Sequence, residues 1–210
     1  LPNGHAGSKK CKCQCHRNGE LSDTIRKDSG SAGAFDNLKE DPRIPLTGRQ
    51  KFLIKRSWKG ISRNISETGM NMFLSLFEKN EEVMMFFKGL DKTKTVTELR
   101  TCKVLENHAR GVMLTIDEAI TNLDDADTVI ETLNYVGKTH TRFEAFNPNV
   151  FWLLQEPFLL AVKDTLGDRY SAHMQDIYQR AIAFILRTLI DGFTQQQHKQ
   201  PLAITDLGEA

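Results

Sequence analysis

The sequence predicts an all-α fold, and three observations predict it. Between residues 46 and 194, apolar residues recur at intervals of three and four. Helix-start signals precede several of these runs. No stretch there alternates in the manner of a half-buried strand, and no hairpin signal joins two such runs. The chain has 210 residues and is 40% hydrophobic, enough for one sizeable core. With 28 Lys+Arg against 27 Asp+Glu, it lacks the positive field of a nucleic-acid binder. Its longest apolar runs, near 151–162 and 181–186, are broken by Gln155, Glu156 and Arg187, so no transmembrane helix is expected.

The elements follow in order. Residues 1–45, rich in Gly, Ser, Asn, Asp and Lys, read as a flexible tail, because such a composition buries too little surface to offset its ordering entropy. Thr47-Gly-Arg-Gln50 is a capping box. It opens a helix over 48–61 that carries Phe52, Leu53, Trp58 and Ile61. A second helix covers 66–79, a short turn or helix 82–87, and a loop 90–94. Thr95-Val-Thr-Glu98 is another capping box, and one long helix is expected from there to about Asn122. The acidic run 124–127 interrupts it and caps a helix over 128–140. Asn147-Pro148 is an N-cap followed by proline at the first helical position. That helix runs to Leu166, where Gly167 stops it, with a kink expected at Pro157. Ser171 starts a last helix to about Thr194, and 195–210 read as a polar tail. The expected organisation is a tail over 1–45, a helical domain over 46–194 and a second tail.

Two histidines lie on apolar stripes. Leu105, His108, Val112, Ile116 and Ala119 share one face of the long helix; Leu133, Val136 and His140 share one face of the next. From His108 to the break is roughly 20 Å of helix, and from the break back to His140 roughly 18 Å, at about 1.5 Å per residue. Two arms of near-equal length joined by a short turn can bring the imidazoles face to face. A histidine on an apolar face is more often a satisfied core residue than a ligand. Structural zinc is disfavoured, because no third or fourth donor falls at zinc spacing around either.

The ordered set of residues over 46–194 resembles a globin, most of all the neuroglobin and globin X groups. It comprises Trp58, Leu76-Phe77 followed by Phe86-Phe87, the segment 105–117 around His108, and Tyr135-Val-Gly-Lys-Thr-His140. The resemblance implies a globin fold of about seven to eight helices around a pocket for haem b. It implies His140 as the proximal iron ligand and His108 as the distal ligand, giving a six-coordinate iron when no gas is bound. By the same analogy, Phe73 faces the distal pocket and Phe87 packs on the porphyrin. Val112 lies one turn past His108, Val136 and Phe146 line the proximal side, and Phe151 and Leu154 close the back. For a proximal histidine, the second ring nitrogen needs an acceptor; the Val136 carbonyl and the Thr139 hydroxyl are both candidates. Gly111 stands where neuroglobin carries a lysine that can reach a haem propionate. Arg110 or Arg142 could replace it, whereas Glu144 would repel a propionate. The implied function is reversible binding of O2, CO and NO for storage or transport. The alternative is redox chemistry or sensing at the same iron, with nitrite as a further ligand and a reductant still unidentified.

Of four cysteines, Cys102 lies in a helical pattern and is expected to be a buried, inert thiol, while Cys11, Cys13 and Cys15 cluster. Cys11-Lys-Cys-Gln-Cys-His16 lacks the Cys-x-x-Cys-His of covalent haem attachment. No disulfide framework is evident, and no apolar signal-peptide core begins the sequence, so a reduced, cytoplasmic location is expected. The cluster lies among Lys9, Lys10, Lys12 and Arg17, which suits acylation at an anionic membrane surface, as the globin X resemblance also implies. A tight metal site, or a solvated tail with reactive thiols, are the other readings.

Overall fold

The computed structural model describes residues 40–91 and 93–199, and every described element is helical or a turn. The tail expectations, including the cysteine cluster, lie outside these residues. Among the described residues seven α-helices form in order: α1 Gly48–Ser62, α2 Ile65–Lys79, α3 Val96–Leu99, α4 Lys103–Thr121, α5 Ala126–Thr139, α6 Gln155–Leu166 and α7 Ala172–Lys199. Tight 3-10 segments at Glu81–Phe86, His140–Arg142, Pro148–Leu154 and Gly167–Arg169 connect them. The all-α architecture is the one the sequence predicts.

Local chemistry sets the boundaries. Thr47 Oγ1 accepts from the Gln50 N–H while Gln50 Oε1 accepts from the Thr47 N–H, closing the first capping box. Asp125 accepts from the Thr128 N–H and hydroxyl at the start of α5. Gly167 ends α6 in a left-handed conformation, φ 54°.

Three expectations change. The single helix over 95–122 is two helices. Thr95 and Glu98 do form the second capping box, but it opens only α3, and the chain is extended at Cys102 before α4 begins. Leu99 and Leu105 are both buried. On one unbroken helix they would point roughly 120° apart, and the interruption lets both reach the core. Pro157 does not kink a helix, because Pro148–Leu154 is a 3-10 segment and α6 starts afresh at Gln155. Pro157 is then the third residue of α6, where its missing N–H is no loss. Finally, α7 runs past Thr194 to Lys199, through straight-chain residues that support a helix.

The core threads all seven helices. Trp58, Phe158 and Tyr178 pack together where α1, α6 and α7 meet, with ring centroids 6.2–6.4 Å apart. The indole N–H of Trp58 donates to Asp117 Oδ1 at 2.6 Å, tying α1 to α4. Ser57 and Tyr178 share a 2.9 Å hydroxyl bond that ties α1 to α7. Ahead of α1, Ile44 and Leu46 are buried, Glu40 accepts from the Gly48 N–H, and Arg43 pairs with Asp127. The segment 40–46 is therefore packed on the helices.

Two crossings are unusually close. At Gly69 in α2, a Cβ would stand 2.9 Å from the Ala109 carbonyl oxygen of α4. At Gly137 in α5 and Gly192 in α7, a Cβ would overlap the backbone of the opposite helix outright. These crossings hold the two histidine-bearing helices against the rest of the bundle.

Candidate functional site

The stripes read from the sequence become the walls of one cavity of about 550 Å³. Helix α4 brings His108 and Val112 to one side; α5 and the turn after it bring Val136 and His140 to the other. Phe73, Phe87, Phe146, Phe151 and Leu154 line it as well, so all nine residues singled out in the sequence meet at this space. Burial, and after it the His140 ring, pushes the His108 imidazole down to about 4.

His108 is held by aromatic edges. Its ring lies 5.3 Å from Phe73 and 5.0 Å from Phe87, at interplanar angles of 76° and 89°. Phe87 also meets Phe77 edge-on at 5.3 Å, which anchors this side in the α2 core. Among the described residues, no hydrogen bond occupies either His108 nitrogen, so both remain available to a ligand.

His140 is held differently. Its Nδ1 lies 2.8 Å from the Val136 carbonyl. A carbonyl can only accept, so Nδ1 carries the proton and, in the neutral ring, Nε2 keeps its lone pair. Thr139, the other candidate acceptor, instead donates its hydroxyl to the same carbonyl at 2.7 Å. Burial lowers the His140 pKa, the Val136 carbonyl opposes that by stabilising the protonated nitrogen, and Arg142 adds a smaller lowering. Both imidazoles are therefore neutral at physiological pH, the form that binds a metal. Phe151 and Phe146 flank the His140 ring at 4.9 and 5.5 Å. Ala145, at φ 61°, turns the chain just before Phe146 enters the wall.

The rim departs from the sequence expectation. Neither Arg110, Arg142 nor Glu144 lines the cavity; the Arg142 guanidinium instead sits 5.1 Å over the Phe143 ring. Gly111 does line it, and a Cβ there would meet nothing within 4 Å. Lys88, next to Phe87, contributes a cation to the rim, and Asn107 and Thr115 contribute polar groups. The sequence also left Ile185, Leu186 and Leu189 of α7 unassigned, although they form the back wall. They belong to a continuous apolar stripe, in which cavity-facing and core-facing residues look alike. Cys102 is a free, half-buried thiol at the start of α4, outside the cavity lining.

The donor set fits haem. Two neutral imidazoles are too few for a bare ion, and no group of three or more His, Cys, Asp or Glu converges among the described residues. They suit an iron that arrives with four nitrogens of its own in an apolar macrocycle. Among the described residues, no helix is long and apolar enough to cross a membrane.

Comparison with known proteins agrees with this geometry. The Globin family model matches residues 70–189, more than half of the chain. Cytoglobin-1 of Oryzias latipes is 29% identical over 138 residues, covering 66% of this chain and 75% of that protein. Neuroglobin of Danio rerio is 25% identical over 155 residues, covering 73% and 97%. Among solved structures, a hexacoordinated haem protein from an anhydrobiotic tardigrade has a TM-score of 0.69 and 31% identity, over 74% of this chain and 99% of that one. The neuroglobin of the acoel Symsagittifera roscoffensis has a TM-score of 0.62 at 19% identity, over 70% and 99%, a likeness of fold. With the helical order, the paired histidines and the family match in agreement, the chain belongs to the globin family.

Proposed function

We propose that the protein is a haem b globin that binds O2 and other diatomic gases reversibly. In this reading His140 would hold the iron, and His108 would be a second ligand that gives way to a gas. One observation carries the reading: two half-buried, neutral imidazoles, one on α4 and one just after α5, line one apolar cavity. When bound, haem supplies an iron at which a diatomic gas can be held. The chain does the rest. The Val136 carbonyl fixes the His140 tautomer and leaves Nε2 to the iron. Phe73, Phe87 and Val112 surround the gas side with apolar surface and exclude water. His108 competes with the gas, so apparent affinity falls by the fraction of sites that His108 leaves open. Lys88 is the rim cation suited to a propionate. The tardigrade protein is described as hexacoordinated, in keeping with a histidine on each face.

Absorption spectroscopy of the haem-loaded full chain tests this reading. The ferrous protein is expected to be six-coordinate, His108→Leu five-coordinate with faster CO association, and His140→Ala to lose haem or hold it through His108 alone. A His140→Ala protein with unchanged spectrum and haem affinity would refute the proximal assignment. A five-coordinate ferrous spectrum in the unsubstituted protein would refute the role of His108.

A further inference from the structure

We propose that the glycine crossing of α5 and α7 sets the position of the His140 imidazole, making Gly137 and Gly192 positioning residues for the iron ligand. The inference rests on His140 being that ligand. Two contacts define the crossing. A Cβ on Gly137 would overlap the Leu189 carbonyl oxygen and stand 2.8 Å from its carbon. A Cβ on Gly192 would overlap the Asn134 carbonyl oxygen and stand 2.8 Å from that carbon. Asn134 and Gly137 are three residues apart on α5, and Leu189 and Gly192 are three apart on α7, so the contacts pair in antiparallel order. Two backbone contacts one turn apart restrain α5 in both translation and tilt.

In both cases the obstructing atoms belong to backbone, and no rotamer change can move them aside. Restoring ordinary contact after adding one methyl group would require the helices to part by about 1 Å in a close-packed interior. His140 is one turn beyond Gly137, and its Nδ1 is bonded to the carbonyl of Val136, the residue just before that glycine. Phe146 and Phe151 limit how the ring turns, but its place along and across the cavity is inherited from α5. On the other side of the crossing, Leu189 is itself a cavity wall. Metal–ligand distances tolerate only about 0.2 Å. A shift of the size one methyl group demands therefore exceeds what the iron–imidazole bond absorbs without weakening.

The test uses the full-length, haem-loaded chain carrying His108→Leu, so that His140 is the sole axial histidine. Resonance Raman gives the iron–histidine stretching band of the ferrous form, and transfer to a haem scavenger gives the rate of haem loss. Gly137→Ala and Gly192→Ala are each expected to shift the band in the same direction and speed haem loss about 10- to 100-fold, with helical circular dichroism retained. Gly60→Ala is the control, because its Cβ would find only ordinary contact with Arg169 at 3.6 Å; it should change neither. An unmoved band with unchanged haem loss in both variants would overturn the proposal. So would loss of helical structure along with haem, which would assign the crossing to the fold as a whole. Absence of an iron–histidine band in the His108→Leu parent would instead refute His140 as the ligand, a separate failure.

Discussion

Replacing Trp58 with phenylalanine is expected to weaken the link between α1 and the helix that carries His108. Trp58 is only 3% exposed, and its indole N–H donates to Asp117 Oδ1 at 2.6 Å. Phenylalanine keeps a ring against Phe158 and Tyr178 but removes the donor and leaves a small gap. A hydrogen bond to a charged group contributes about 1.5–3 kcal/mol. Asp117 is half-buried and can regain water, which favours the lower end. The gap adds about 1 kcal/mol. The single variant should therefore lose about 2.5 kcal/mol, of which about 1.5 belongs to the bond. A double-mutant cycle with Asp117→Ala isolates that part, because the packing loss occurs on both sides of the cycle and cancels. Urea unfolding of the haem-free protein, followed by circular dichroism at pH 7.5, measures it. A coupling below about 0.3 kcal/mol, the ordinary additivity error, would refute the reasoning.

Three further outcomes are expected. In the haem-free protein, burial holds the His108 pKa near 4 while the unfolded chain titrates close to 6.5. The unfolded state then binds the extra proton first, so stability is full above pH 6.5 and falls as the pH drops toward 4. The loss reaches about 2 kcal/mol at pH 5, and His108→Leu should remove it from urea titrations; identical pH dependence in the two proteins would refute this. Deleting residues 1–39 should leave haem affinity unchanged and abolish any membrane association, whereas deleting 1–45 should also destabilise the domain, because Ile44 and the Glu40 contact at Gly48 go with it. Fractionation of native cells with and without hydroxylamine tests the proposed acylation of Cys11, Cys13 and Cys15, which needs a second signal such as the neighbouring basic residues for stable anchoring; a wholly soluble pool would refute it.

Helix starts were the most legible part of the sequence. Thr47, Thr95, Asp125 and Asn147 each cap an element where their side chains imply one. The division between α3 and α4 was not legible, because no glycine or proline marks it. It arises from the competing demands of Leu99 and Leu105 for the same core, a tertiary effect. Pro157 misled for a related reason: the residues ahead of it take a tighter 3-10 path, so it falls in a first turn instead of mid-helix. At the site, the two histidines stood out because each interrupts an apolar stripe with a polar ring. The α7 wall did not, because Leu186 and Leu189 look like any core leucines. Gly137 and Gly192 carried no visible signal either; the meaning of a glycine at a crossing depends on what the opposite helix presents.

The Val136 carbonyl serves two donors at once, the Thr139 hydroxyl and His140 Nδ1. An imidazole that donates to a carboxylate takes on part of its negative charge and becomes a strong electron donor to its metal. A neutral amide oxygen already engaged by a hydroxyl draws the proton away far less. In the proposed haem complex, His140 would thus be a weak electronic push behind the iron. Such a ligand would favour release of a gas over cleavage of its bond. Thr139, which does not line the cavity, would then be a control on reactivity, with Thr139→Val expected to return the whole carbonyl to His140 and make it the stronger donor.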